Sequence, residues 1–239
     1  MTAAQQMEQD NIERELSINV GSMVLEGTLG LPRDPKGLVL FAHGSGSSRH
    51  SPRNRYVAGV LQSRGIATLL FDLLTREEES VDQRTAELRF NIGLLAERLS
   101  GATQSIMCNP DVKGLAVGYF GASTGASAAL VAAAELPGVV AAIVSRGGRP
   151  DLAGEALYSI RTPTLLIVGG DDKLVIELNR QALAKLCLPE KELVIIPGAT
   201  HLFEEPGTLE EVARVAAEWF TRYLARPGLA RAQASAHRG

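Results

Sequence analysis

Short runs of consecutive apolar residues recur along the middle of the chain, at Gly37–Ala42, Ala67–Phe71, Gly114–Tyr119, Val139–Ser145, Thr164–Val168 and Glu192–Ile196. Strands that are apolar on both faces are what a parallel sheet covered by helices requires, so these runs predict buried parallel strands. Ahead of them, Glu15–Val20 and Met23–Leu31 alternate polar and apolar positions and meet at Gly21-Ser22, which predicts an antiparallel hairpin. The segments between strands show helical spacing. Val81, Leu88, Ile92, Leu95 and Leu99 fall on one stripe and predict a single helix over 81–99. Val212, Val215, Ala216, Trp219 and Tyr223 form a second stripe, which makes Trp219 a packing residue, and Thr208 with Glu211 predicts a capping box at its start. Two strands followed by alternating strands and helices predict an α/β fold: a mostly parallel twisted sheet of about eight strands, an N-terminal antiparallel hairpin, helices on both faces and right-handed crossovers.

The pattern also divides the chain. Residues 1–12 and 226–239 are polar or alanine-rich without apolar periodicity and are expected to be flexible tails on one domain spanning 13–225. A single core suits a chain of 239 residues. A net charge of -3 with dispersed basic residues argues against nucleic acid as a partner. The apolar runs are far shorter than the roughly 20 residues that cross a bilayer, so no membrane association is expected. Two cysteines, Cys108 and Cys187, and no charged-then-apolar leader predict free thiols in a soluble cytoplasmic protein. The pattern leaves the oligomeric state open.

Candidate chemistry concentrates after the strands, where open α/β sheets place their ligands. Gly121-Ala-Ser-Thr-Gly125 lies between an apolar strand and a small-residue helix. This G-x-S-x-G pattern predicts a nucleophile elbow, a sharp strained turn carrying Ser123, with the Thr124 amide and the helix dipole beside the serine. Glycines are expected at 121 and 125 because a Cβ there would strike the neighbouring strand or helix. His43-Gly-Ser-Gly-Ser-Ser48 follows another strand. Lacking a Gly-Lys-Ser/Thr ending and a third glycine, it fails as a P-loop or dinucleotide fingerprint, and neither cofactor nor metal is expected. The Ser45 amide would instead face the Thr124 amide across an oxyanion position.

Asp171-Asp172 and His201 follow two later strands, so the chain order is serine, acid, histidine. A serine hydroxyl needs a base such as His201 within hydrogen-bond reach, and an aspartate, Asp172 in preference to Asp171, would fix the imidazole tautomer. His43, directly after a buried strand, reads as structural; His237 falls in the tail; His50 lines the pocket or lies on the surface.

The ordered set His43-Gly-Ser-Gly46, Gly121-Ala-Ser-Thr-Gly125, Gly169-Gly-Asp-Asp172 and Gly198-Ala-Thr-His201 resembles the α/β-hydrolases, nearest the dienelactone hydrolase-like group, over about residues 13–225. The resemblance implies Ser123 as nucleophile, His201 as base and Asp172 as acid, acting without a cofactor on a small-molecule ester, lactone or thioester. Dienelactone hydrolases proper carry cysteine where this chain has Ser123. Residues 146–161 are too few for a helical lid domain. Arg146 and Arg149 in that segment, with Arg49 and Arg53 after the first loop, are candidate partners for an anionic substrate group. Their alternative is ion pairing with Glu77–Glu79 or Asp151. A peptidase or acyltransferase would use the same residues, and a non-catalytic ligand-binding protein could keep the fold.

Overall fold

The computed structural model describes residues 11–225; both expected tails lie essentially outside the described residues. The strands are β1 (Ile12–Val20), β2 (Met23–Leu31), β3 (Leu38–Ala42), β4 (Ala67–Phe71), β5 (Val117–Ala122), β6 (Val140–Arg146), β7 (Thr164–Gly169) and β8 (Lys191–Ile196). The helices among the described residues are α1 (Pro52–Ser63), α2 (Arg76–Thr85), α3 (Ile92–Ile106), α4 (Thr124–Glu135), α5 (Ala156–Ser159), α6 (Lys173–Lys185) and α7 (Thr208–Leu224). One sheet runs in the order β1-β2-β4-β3-β5-β6-β7-β8. β1 pairs antiparallel with β2, closing at Val20↔Met23, and β2 pairs antiparallel with β4; every later pairing is parallel. The fold is the expected α/β one, and the hairpin begins at Ile12, one residue before the predicted boundary.

Side chains alternate across a strand, so each central strand feeds two cores. In β3, Leu38, Leu40 and Ala42 point into one core with Leu95 and Leu99 of α3 and Ala129 of α4. Val39 and Phe41 point into the other with Val57 and Leu61 of α1 and Phe220 of α7. Phe41 and Phe120 meet across β3 and β5 with ring centroids 4.9 Å apart. Trp219 packs in this second core against Tyr223 at 4.8 Å, the packing role its helical spacing predicts. β8 differs from the other parallel strands: as the sheet edge it is only partly covered, and Ile195 is exposed.

Two local expectations are corrected. The stripe from Val81 to Leu99 is not one helix: α2 ends at Ala86, whose φ of 57° is left-handed, and a 3₁₀ turn over Leu88–Phe90 intervenes before α3. The cause is Asp82. Its buried carboxylate accepts the Leu88 amide at 2.8 Å, the Arg89 amide at 3.0 Å and Arg89 Nε at 2.6 Å, folding the chain back on the helix. Burial alone would raise this carboxyl's pKa, but the hydrogen bonds and charge of Arg89 outweigh it and lower it. The periodicity carried across the break because α3 resumes on the same core, whereas Val81 is exposed. The predicted capping box at Thr208 is also absent. Gly207 caps α7 at φ 83°, Thr208 Oγ1 donates to the Glu205 carbonyl, and Glu211 forks onto Arg214 instead.

Asp82→Ala strands three donors at once and should lower stability by about 3 kcal/mol, at the upper end for losing a buried acceptor. Urea unfolding measures this; a change within about 0.5 kcal/mol, typical of surface positions, would contradict the fold-back role.

Candidate active site

The sheet's carboxyl edge gathers four loops, and backbone contacts that only glycine permits hold them together. β5 runs into α4 through Ser123, which sits at φ 50°, ψ -120°, a region L-residues rarely occupy and that costs of order 1–3 kcal/mol. A Cβ on Gly121 would come within 2.4 Å of the Ala126 Cα, and one on Gly125 within 2.2 Å of the Ala42 carbonyl oxygen. Glycine at both positions therefore lets the first turn of α4 lie against its own strand and against the end of β3. The predicted strained elbow is present. Its backbone is tied to the end of β6 and the loop that follows: the Ser123 amide donates to the Arg146 carbonyl at 3.3 Å, and the Arg149 amide donates to the Ser123 carbonyl at 3.1 Å. The Ser123 side chain does not cap α4, which leaves its hydroxyl free of that role.

The loop after β3 reaches the same point. A Cβ on Gly44 would stand 3.0 Å from that of Ser123, and Ser45 Oγ lies 3.0 Å from Thr124 Oγ1. Among the described residues neither the Ser45 nor the Thr124 amide is taken up in a hydrogen bond. His43 anchors this loop from below. Its Nε2 accepts the Leu73 amide at 3.1 Å, which requires the neutral ring with its proton on Nδ1, donated to the Gly44 carbonyl at 3.0 Å. Burial holds the imidazole below its ordinary pKa, outweighing the Gly44 carbonyl and the Asp72 and Glu79 carboxylates.

Asp172 and His201 arrive on the loops after β7 and β8. Those loops touch: a Cβ on Gly169 would come within 2.4 Å of the Ala199 carbonyl oxygen, and the Asp171 amide donates to that same carbonyl at 2.9 Å. Asp172 stands at the N-cap position of α6 without capping it, and its Oδ2 meets His201 Nδ1 at 2.6 Å. Asp171 is exposed, so the structure pairs the histidine with the aspartate the sequence favours. The His201 backbone passes Gly147, beside the strand end to which Ser123 is bonded, with its carbonyl oxygen 3.1 Å from where a Cβ would stand. Serine, histidine and aspartate thus converge from three loops onto one edge.

Sequence reasoning did not single out Glu205, which holds the histidine loop by accepting the Thr200 amide at 3.1 Å and the Thr200 hydroxyl at 2.6 Å. The Thr200 hydroxyl bond, with the amide bond, lowers its carboxyl's pKa. Nor did it find Phe203, buried at a φ of 55° in the same loop. Neither position carries a periodic or motif signal.

Three of the four candidate substrate-binding arginines have protein partners. Arg49 is bound by Asp72 and by Glu26 at 2.8 Å, with Glu15 at 3.7 Å, so it clamps the loop after β3 to β2 and β4 and is not free for a ligand. Arg149 forks onto Asp151 at 2.9 and 2.8 Å. Arg53 reaches Glu204 at 3.1 Å. Arg146 differs: it is buried, its guanidinium has no hydrogen bond or ion pair among the described residues, and burial, then the charge of Arg53, pushes its pKa down to about 10. A polar cavity of about 690 Å³ opens beside Ser45 and is lined by Ser47, His50, Arg53, Thr75 and Glu79 among others. No helix among the described residues is long and apolar enough to cross a membrane, and both cysteines are exposed free thiols.

Because the folded protein resists protonating His43, acidification below the ordinary value of 6.5 lets the unfolded chain take up a proton that the native state refuses. Stability should therefore decline as pH falls from there, by at most about 1.4 kcal/mol per pH unit for this one group. Unfolding free energies at pH 7 and 5 should show a shallower decline in His43→Gln; an identical slope would show that His43 titrates alike in both states.

Comparison with known proteins agrees with this architecture. The model of the dienelactone hydrolase family matches residues 25–225. The crystal structure of a dienelactone hydrolase from Anabaena variabilis is 62% identical, covering 90% of this chain and 99% of that one, with a TM-score of 0.88. Est1E from Butyrivibrio proteoclasticus, 16% identical with a TM-score of 0.74 over 89% of this chain and 99% of its own, shares the fold. A Mycobacterium tuberculosis protein provisionally named a phosphoribosyl transferase is 57% identical over 217 residues, 90% of this chain. This chain spans only 48% of that relative's length. With the family model matched over nearly the whole described domain, and a structural relative identical at well over half its positions, the chain belongs to the dienelactone hydrolase family.

Proposed function

We propose that the protein is a serine hydrolase that cleaves a small to medium carboxylic ester, lactone or thioester through Ser123, His201 and Asp172. The observation that carries this reading is the 2.6 Å bond between His201 Nδ1 and Asp172 on the same sheet edge as a serine held at positive φ. In this reaction His201 Nε2 accepts the Ser123 proton as Oγ attacks the acyl carbon. Asp172, bonded at Nδ1, fixes the tautomer and stabilises the imidazolium. The tetrahedral oxyanion lies between the Thr124 and Ser45 amides, and the dipole of α4 favours its charge. Collapse expels the alcohol or thiol, which takes the proton from His201 and leaves an acyl group on Ser123. A water molecule, deprotonated by His201, then attacks the acyl carbon and returns the free serine and the carboxylic acid.

Family membership supports hydrolysis over the non-catalytic alternative. Transfer of the acyl group to another nucleophile, or cleavage of an amide, would follow the same first step. The transferase name belongs to relatives about twice as long, and the family matched over 25–225 is a hydrolase family.

Ser123→Ala should lower kcat on an activated aryl ester by about 10³-fold or more, and should abolish the single mass adduct formed by a fluorophosphonate probe. Retention of more than a tenth of wild-type turnover would exclude Ser123 as nucleophile. Asp172→Asn should reduce kcat strongly and Asp171→Asn little. If steady-state kinetics reverse that order, Asp171 is the acid.

A further inference from the structure

A guanidinium buried without a counter-ion is unfavourable, because desolvating a charge is costly unless pairing compensates it. Arg146 is in that position at the end of β6, directly beside the elbow. Its Nη1 is buried and unbonded, and the charge of another cation, Arg53, adds to its disfavour. Arg53 is less extreme, since its Nη1 is paired with Glu204 and its side chain is a third exposed. It sits in the first turn of α1, where the helix dipole disfavours positive charge, and no acidic residue occupies that turn. Its Nε is buried without a partner, and its backbone amide is unbonded among the described residues. The one carboxylate answering this cluster is Glu204, whose side chain is 64% exposed. Arg53 also lines the cavity that opens beside Ser45. Arg146, at the strand end bonded to Ser123, and Arg53 with the N-terminus of α1, on the cavity beside Ser45, thus both lie near the candidate nucleophile, each with one buried guanidinium nitrogen unbonded.

We propose that Arg146 and Arg53, with the N-terminal pole of α1, form a recognition site for a phosphate-monoester group carried by the substrate. Guanidinium forks match the oxygens of a phosphate, and a helix N-terminus adds a free amide and favourable field. A dianion satisfies both arginines at once, whereas the monoanion of a carboxylate answers only one when Glu204 holds the other. Substrate selection would then lie outside the triad: the ester is cleaved at Ser123 while its phosphate is held at the Arg53 end of the cavity. This assignment deepens the hydrolase reading, but its binding test does not depend on it.

The test measures binding of inorganic phosphate and of acetate by calorimetry at constant ionic strength, to wild type and to Ser123→Ala, Arg146→Met, Arg146→Lys, Arg53→Met and, as a control, Arg180→Met, which replaces an exposed arginine of α6. Wild type, Ser123→Ala and Arg180→Met should bind phosphate equally, and at least ten times more tightly than acetate. Arg146→Met should weaken phosphate at least ten-fold, Arg53→Met at least three-fold, and Arg146→Lys less than Arg146→Met. Because the methionine removes an uncompensated charge, Arg146→Met should also melt at a higher temperature than wild type in phosphate-free buffer. Unchanged phosphate affinity in Arg146→Met, or acetate bound as tightly as phosphate, overturns the assignment, as does a lower melting temperature of that variant. In kinetics, an aryl ester bearing a phosphate on its acyl chain or on its aryl ring should exceed its neutral counterpart in kcat/KM, and Arg146→Met should cut that ratio at least ten-fold. If phosphate binds as described but wild type cleaves no ester, the hydrolase reading fails and the anion site stands.

Discussion

The arrangement of this protein depends on one close approach of backbone to backbone. The first turn of α4 lies so near the end of β3 that a single methyl group at residue 125 would come within 2.2 Å of a carbonyl oxygen. No rotamer change can relieve such a contact, because a Cβ is fixed to its own main chain and its partner is a backbone oxygen. The same turn forces Ser123 to a positive φ, and the strain is held by hydrogen bonds on either side of it, to the Arg146 carbonyl and from the Arg149 amide. Strain of this kind persists only where the surroundings over-determine it. Here they do, since β5 is central in the sheet and α4 is buried along nearly its whole length.

From that point the rest of the edge is assembled by short ties between loops. Gly44 brings the loop after β3 up to the serine, and His43 and Arg49 fasten that loop to the segment after β4. Gly169 lets the loop after β7 cross the loop after β8, so that Asp172 and His201 meet. Glu205 closes the histidine loop on itself through Thr200. Each tie uses a backbone group, a glycine or a charged hydrogen bond rather than apolar packing. The two hydrophobic cores lie beneath, and their role in function is to keep the strand ends in register.

Charge is distributed unevenly over this edge. Arg49, Arg149 and Arg89 are paired with carboxylates and hold loops in place, which is the ordinary structural use of arginine. Arg146 stands apart in having no carboxylate partner among the described residues, whereas Arg53, like Arg49 and Arg98, keeps a buried nitrogen unbonded while another is ion-paired. All of these residues look alike in a linear chain; what separates them is whether an acidic group from another element is brought within reach.

Local chemistry and periodicity were enough to give the α/β class, the antiparallel hairpin, the six later strands and the placing of Ser123, the two aspartates and His201 directly after strands. Those features depend on residue types at fixed spacing: runs apolar on both faces, glycines flanking a serine, and polar residues placed directly after strands. The same local signals misread the chain between Val81 and Leu99, because helical periodicity cannot register a buried carboxylate such as Asp82 turning the backbone while the next helix returns to the same core. They likewise offered Thr208 and Glu211 as a cap, although Glu211 finds a better partner in Arg214. Only the tertiary structure decided that His201 takes Asp172 rather than its neighbour, that Arg49 and Arg149 are held by carboxylates, and that Arg146 is buried with none. Those outcomes rest on which loops cross at the sheet edge, and contacts between residues far apart in sequence leave no periodic trace along the chain.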